Sequence, residues 1–320
     1  MAVYTEVSEE ELTTFIADYD IGKLLSYKGI TEGVENSNYL IITGSGKFIL
    51  TLYEKRVLAH DLPFFLGLME HFSKCGLPCP LPIRGQDGRT LRSLCGRSAA
   101  IINFLPGKWL KWPGIDKCAK VGAVLASFHN AGSNFLVSRP NDLSVSSWRP
   151  LLESSRKKVN EVYPGLLEQL SEKLMVLEHS WPVGLPSGII HADLFPDNVF
   201  FQNGQVSGVI DFYFACTDAF AYDLAICLNA WCFEPDLSFN IKKARVLLEA
   251  YQKEKALSEQ EIHALPMLAR GAAMRFLLTR LYDWLNTPVG AFVTRKDPME
   301  FHTKLRFHET IADIGAYGLD

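Results

Sequence analysis

Four residues stand out for their types and spacing: His191, Asp193, Asn198 and Asp211. They fall in His191-Ala192-Asp193-Leu194-Phe195-Pro196-Asp197-Asn198 and in Ile210-Asp211-Phe212. One carboxylate, Asp193, can take the proton of an acceptor hydroxyl. An amide oxygen and a second carboxylate, Asn198 and Asp211, can hold Mg²⁺ against nucleotide phosphates, and together these are the parts a phosphoryl-transfer site needs. Residues 199–202 are β-branched and aromatic, Asn203-Gly204 is a strong hairpin signal, and residues 205–210 read as the returning strand. A two-residue turn pairs 202 with 205, which sets 198 near 209 and 196 near 211. The loop is thereby expected to fold against Asp211. Any one of these Asp or Asn residues alone reads as a turn or cap. The ordered set with a hairpin between its parts is what points to a reaction.

The 320 residues suffice for two lobes and a sizeable core. A net charge of -4 with no long basic run disfavours nucleic acid or an anionic membrane as the main partner. The acidic start lacks the basic and apolar regions of a secretory leader, and no apolar run is long enough to span a bilayer. Cysteines 75, 79, 95, 118, 216, 227 and 232 include no CxxC pair, which argues against a zinc site and for reduced thiols in a cytoplasmic protein. Cys216 follows the proposed metal loop, but packing is its simpler reading.

Elements must position these residues. Residues 8–19 read as a helix with Ser8 and Glu11 as a capping box. Residues 39–43 and 47–53 flank Gly44-Ser45-Gly46 as a hairpin. Gly44-Ser45-Gly46-Lys47 lacks the upstream glycine of a phosphate-binding loop and lies between strands, so it reads as a turn. A helix over 60–75, an extended segment through Pro78, Pro80 and Pro82, and strands at 90–94 and 99–104 complete a small sheet. Pro106-Gly107 breaks the pattern, giving lobes 1–105 and 106–320. Beyond it, helices are expected over 115–129, 151–178 with a break at Pro164-Gly165, 223–233, 240–255, 258–286 and 297–317. The small residues of 115–129 predict close packing against a neighbour. The fold class is α+β, with a small antiparallel-sheet lobe and a larger helical one. Such an arrangement suits a ligand cleft between lobes.

The catalytic segment, with Gly208-Val209-Ile210-Asp211-Phe212 and Ala221-Tyr222-Asp223-Leu224-Ala225, resembles the aminoglycoside phosphotransferase and choline kinase group, whose fold is protein-kinase-like. Ile101-Ile102-Asn103-Phe104-Leu105-Pro106-Gly107 is similar to that group's inter-lobe hinge, and residues 121–129 to its first large-lobe helix. Within the group, Gly33-Val34-Glu35-Asn36-Ser37-Asn38-Tyr39, residues 48–54, Gly76-Leu77-Pro78-Cys79-Pro80, Arg270-Gly271-Ala272-Ala273-Met274-Arg275-Phe276 and Arg280-Leu281-Tyr282-Asp283 resemble the kinase-like homoserine kinases. The resemblance implies ATP, Mg²⁺ and L-homoserine as reactants, in a step toward threonine. It implies Asp193 as base, Asn198 and Asp211 as metal ligands, and Asp223 as a brace for the catalytic loop. His191 orders the same loop. Asn36, Ser37, Asn38, Ile102, Asn103 and Phe104 become nucleotide-binding candidates.

The chain departs from that pattern at Thr51, where kinase-like folds usually carry a cation paired with a helix glutamate. Asp61-Leu62-Pro63-Phe64-Phe65 offers no such glutamate near the expected place. Losing both partners leaves no unpaired buried charge. Lys47, Lys55 and Arg56 are nearby alternatives.

A homoserine site needs a cation for the carboxylate and oxygens for the ammonium. Arg275, Thr279 and Asp283 recur at four-residue spacing on one helix face, and Phe276, Arg280 and Trp284 on another. The four substrate-binding candidates are Arg275, Thr279, Arg280 and Asp283. A pairing of Arg280 with Asp283, or ion pairs between helices, is the plainer reading of the charges. Asn36, Asn38, Trp109 and Tyr213 are weaker candidates, and His129 reads as structural. Alternative acceptors are choline or ethanolamine, a sugar or an aminoglycoside. A nucleotide-binding pseudokinase is the rival from another class, motivated by Thr51.

Overall fold

The computed structural model describes residues 4–30, 36–54, 57–287 and 295–319. Gly33, Val34, Glu35, Lys55 and Arg56, invoked above, lie outside the described residues. The chain divides into two compact units, Met1–Gly107 with Ser207–Tyr213, and Lys108–Val206 with Phe214–Asp320. The break at Gly107 sits beside the Pro106-Gly107 step, while the short segment after the Asn203-Gly204 turn joins the first unit. Among the described residues no helix is long and apolar enough to cross a membrane.

The first unit is built on an antiparallel five-stranded sheet. Its strands are β1 (Leu24–Gly29), β2 (Ser37–Thr43), β3 (Gly46–Tyr53), β4 (Arg92–Leu94) and β5 (Arg97–Asn103), in the order β1-β2-β3-β5-β4. Strand β2 alternates buried and partly exposed residues, the period expected of a sheet with one covered face. The Gly44-Ser45 turn that joins it to β3 sets Thr43 opposite Gly46 and Asn38 opposite Thr51. Ile41, Leu50, Leu52, Ala99 and Ile101 form a core with Leu12, Phe15 and Ile16 of helix α1 (Glu9–Ile16). Both halves of the α1 capping box form: Ser8 Oγ accepts from the Glu11 N–H, and Glu11 reaches back to the Ser8 N–H at 2.9 Å. Helix α2 (Leu62–Lys74) buries Phe64, Phe65, Leu68 and Phe72.

The second unit is mainly helical. It contains α3 (Ile115–Gly132), α4 (Val145–Ser155), the short α5 (Val159–Val162), α6 (Leu166–Ser180), α7 (Phe220–Trp231), α8 (Ile241–Glu254), α9 (Glu259–Asn286) and α10 (Met299–Glu309). The helix expected to begin at 151 begins at Val145 instead, with Pro150 inside it. Buried Trp148 anchors that first turn by donating Nε1–H to the Leu143 carbonyl at 2.9 Å, which offsets the bond the proline cannot make. The stretch expected to be helical over 297–317 is α10 followed by a 3₁₀ turn, Ile314–Tyr317.

The small residues of α3 do what their size predicts. A Cβ added at Gly122 would stand 2.1 Å from the Leu247 carbonyl oxygen of α8, so the two backbones touch there. Gly122→Ala is expected to destabilise the protein by about 1–3 kcal/mol, because a backbone has no rotamer to give way. A urea midpoint equal to that of the parent chain would contradict this contact.

Two short strands, β6 (Ser187–Ile190) and β9 (Cys216–Ala219), pair antiparallel with Ile190 opposite Cys216. Neither is legible in the sequence, since four residues are too few to show a period. Between them lie β7 (Val199–Gln202) and β8 (Gln205–Val209), a two-stranded hairpin. At its turn Asn203 has φ 50° and Gly204 φ 79°, the left-handed pair that Asn-Gly tolerates best.

Candidate active site

The loop from His191 to Asn198 carries its own wiring. Asp223, in the first turn of α7 and fully buried, accepts the His191 N–H at 2.7 Å and the Ala192 N–H at 2.9 Å. His129 Nε2 meets the same carboxylate at 3.1 Å, while His129 Nδ1 pairs with the Tyr251 hydroxyl at 2.8 Å. Burial alone would raise the Asp223 pKa. The His129 hydrogen bond and the surrounding donors outweigh it, and the group sits below the usual carboxylate range.

The next residue is held from both sides. Ala192 has φ 62°, a left-handed backbone that a residue with a Cβ adopts at a cost of about 1–2 kcal/mol. Its N–H goes to Asp223, and its carbonyl accepts from Arg275 Nη1 of α9. Arg275 is 2% exposed, its guanidinium lies 4.4 Å from the Phe276 ring centroid and 5.5 Å from that of Phe214, and its Nε has no partner among the described residues. Arg275, read from the sequence as a carboxylate-binding candidate, is buried and its guanidinium holds the loop backbone at Ala192.

Asp193 is fixed at three points. Its N–H donates to His191 Nδ1 at 3.2 Å, which makes that nitrogen an acceptor and places the imidazole proton on Nε2. Its carbonyl and its Oδ2 both accept from Asn198 Nδ2, at 2.9 and 3.1 Å. The Asn198 amide thus uses its donor end on Asp193 and keeps Oδ1 as an acceptor. Leu194, the following residue, is clamped by Trp231 Nε1–H on its carbonyl at 2.7 Å. Asp223, His191 and His129, the last read as structural, belong to one hydrogen-bonded network around this loop.

Asp211 lies in the first unit, at the end of β8. It too has a left-handed backbone, φ 65°, in a chain with five such non-glycine residues among those described. The residues after it are aromatic anchors. Phe212 stacks 5.8 Å from Phe72, and Tyr213 packs edge-on to Tyr53 at 5.4 Å and Phe65 at 5.7 Å. Burial pushes the Tyr213 hydroxyl up to about 12. Tyr213 is thereby packed among aromatic side chains.

The remaining nucleotide candidates also lie in the first unit, most with their polar groups engaged. Thr51 Oγ1 donates to Asn38 Oδ1 at 2.8 Å, an uncharged contact where kinase-like folds usually set a cation. Ser37 is fully buried; its hydroxyl donates to Glu54 at 2.8 Å and accepts the Tyr4 and Thr5 N–H groups. Asn36 Oδ1 accepts from the Glu54 N–H. At the end of β5, Ile102 faces Ile49, the Asn103 amide oxygen accepts from the Leu81 N–H at 2.6 Å, and the Phe104 N–H donates to Lys47. Lys47 itself lies 5.7 Å over the Phe104 ring.

On α9 the acceptor candidates separate. Thr279 donates to the Phe276 carbonyl of its own helix. Arg280 binds Glu300 of α10 at 2.6 Å and lies 4.4 Å over Phe301. Asp283 accepts from the Thr287 N–H through its carbonyl. Trp109 is exposed. Cys216 is buried in β9, and desolvation raises its thiol pKa, in keeping with packing. Lys304, Glu300 and Trp231, which sequence reading passed over, line a cavity of about 310 Å³ in the second unit together with Phe195 and Arg280. Their only sequence signal was a Glu and a Lys four apart, which reads as an ordinary surface pair. Among the described residues no group of three or more His, Cys, Asp or Glu side chains could hold a metal.

Comparison with known proteins gives this loop its setting. A family model described as the phosphotransferase enzyme family (APH) matches residues 26–257. A homoserine kinase of Nitrobacter hamburgensis is 60% identical over 319 residues, covering 100% of this chain and 98% of its own. One of Paramagnetospirillum magneticum is 57% identical over 326 residues, covering 100% of both chains. The solved structure of amicoumacin kinase hAmiN in complex with AMP-PNP, Ca²⁺ and Ami superposes with a TM-score of 0.70 at 15% identity, covering 96% of this chain and 95% of that one. At that identity the likeness is one of fold, and it agrees with the sheet-based first unit and the helical second. The chain belongs to the phosphotransferase enzyme family and, within it, to the kinase-like homoserine kinases, and it is a phosphotransferase whose acceptor is an alcohol group.

Proposed function

We propose that the protein transfers the γ-phosphoryl group of ATP to the side-chain hydroxyl of L-homoserine, giving O-phospho-L-homoserine and ADP. The observation that carries this reading is the full-length identity of 57–60% to homoserine kinases, joined to a loop that immobilises Asp193. The homoserine oxygen attacks the γ-phosphorus, a new O–P bond forms, and the bond to the bridging oxygen of ADP breaks. The hydroxyl proton passes to the Asp193 carboxylate, which the Asn198 amide orients. Asp211 and the remaining oxygen of Asn198 would hold Mg²⁺. Two protein oxygens are a small set, and that suits an ion which keeps waters and takes phosphate oxygens. When bound, it supplies charge neutralisation for a loose transition state. Positioning does the rest, so a rigid loop matters more than a strong base.

Asn36, Ser37, Asn38, Ile102, Asn103 and Phe104 are the candidates for nucleotide contact, and the Asn36, Ser37, Asn38 and Asn103 side chains already hold hydrogen bonds within the first unit. The test is ADP release from ATP and Mg²⁺ with L-homoserine, L-serine, L-threonine, choline or kanamycin present. Stimulation by homoserine well above the others is expected. Stimulation by choline or kanamycin, with none by homoserine, would overturn the acceptor assignment. Nucleotide binding without turnover of any acceptor would favour a pseudokinase.

A further inference from the structure

The cavity under the catalytic loop has a charge imbalance that nothing above uses. Its wall is continuous with the loop: Phe195 lines it, and Trp231, which holds the Leu194 carbonyl, lines it too. Phe195 in turn packs on Phe276 of α9 at 4.8 Å, so the cavity lies between the loop and the α9–α10 pair. On that wall Arg280 and Lys304 share a single carboxylate, Glu300, each at 2.6 Å. The other lysine–glutamate pair at the cavity, Lys243 with Glu234 at 2.9 Å, is balanced one to one. Among the described residues of the Arg280, Lys304 and Glu300 group, one positive charge is therefore left over.

Lys304 is 5% exposed, and its Nζ makes two further-inward contacts, with Glu300 and with the Asn229 carbonyl. Burial lowers its pKa, and Glu300 only partly restores it. A buried positive charge in excess is costly unless an anion completes it. The cavity, at about 310 Å³, is of a size for a small metabolite. Two other cations beside the loop are already committed, Arg275 to the Ala192 carbonyl and Lys296 to Asp197 at 3.2 Å.

We propose that this cavity receives the α-carboxylate of the acceptor amino acid, and that Arg280 and Lys304 together make the enzyme select an amino acid over the matching amino alcohol. The proposal rests on the reading of the chain as a homoserine kinase and adds which residues read the acceptor's acid group. Arg280 offers a planar fork for a carboxylate, and Lys304 a point charge behind it. Glu300 holds both side chains in place and keeps them from collapsing onto one another's partners.

The test compares L-homoserine with 3-aminopropan-1-ol, which is homoserine without its carboxylate, as acceptors for the full-length chain and for Arg280→Met and Lys304→Met. Removing one charged contact should lower kcat/KM for homoserine about 10- to 100-fold while changing that for the amino alcohol by no more than about threefold. The amino alcohol is the internal control for folding, because a collapsed variant loses both acceptors equally. Calorimetric binding of L-2-aminobutyrate, which keeps both charges and lacks the hydroxyl, gives a second readout and should weaken in step. Parallel losses on both acceptors, or an unchanged homoserine value in both variants, would overturn the proposal alone. A parent enzyme that uses the amino alcohol but not homoserine would overturn the proposal and the functional reading with it.

Discussion

Asp193→Asn lowers turnover by about two to four orders of magnitude while the thermal melting midpoint stays near that of the parent chain. The change keeps the size of the side chain and an acceptor oxygen for the Asn198 amide, which approaches Oδ2 at 3.1 Å. The loop is also tied by its backbone, through the His191 Nδ1 and Asn198 Nδ2 contacts, and these do not depend on the carboxylate. What disappears is the group that takes the hydroxyl proton. Steady-state kinetics beside a melting curve separate the two effects. Turnover within threefold of the parent would remove Asp193 as the base.

Asp223→Ala should do the opposite and fail first as a fold. Its carboxylate accepts the N–H groups of His191 and Ala192 and faces His129, all in a fully buried setting. Truncation leaves those donors without an acceptor, at a cost of about 3–5 kcal/mol. It also removes one of the two hydrogen bonds that flank the left-handed Ala192. The acid limb of stability carries the same signature. The folded pKa of Asp223 lies below the usual carboxylate range. Its contribution is therefore fully present above the unfolded value and is lost as pH falls through the lower folded value. Asp223→Asn should flatten that acid-side loss, measured as urea midpoints between neutral pH and the onset of acid unfolding. A variant with unchanged midpoint and unchanged acid slope would show that the loop does not depend on this carboxylate.

Local signals in this chain were readable because their physics is local. Ser8 with Glu11, and Asn203 with Gly204, fix a cap and a turn through neighbours in sequence. The order of His191, Asp193 and Asn198 was readable for the same reason, since the Asn198 amide that orients Asp193 comes from five residues away. Gly122 was readable one step further out, as a small residue that announces close packing without naming its partner, Leu247. The partners of the acceptor candidates were not. Arg280 and Asp283 have ideal spacing on one helix, yet Arg280 answers to Glu300, on a helix whose placement no local pattern reveals. Sequence gives the charge of Arg275 but neither its depth nor its contact with the Ala192 carbonyl. For Tyr213 it offers packing without the partners, since Tyr53 and Phe65 are more than a hundred residues away.

The central claim is the transfer itself, and phosphorus NMR of the reaction mixture tests it most directly. Purified protein with ATP, Mg²⁺ and L-homoserine should yield a phosphomonoester signal of O-phospho-L-homoserine in step with ADP, and Asp193→Asn should yield neither on the same timescale. ADP accompanied by inorganic phosphate alone, or no phosphomonoester with homoserine while another hydroxylated acceptor gives one, would contradict it.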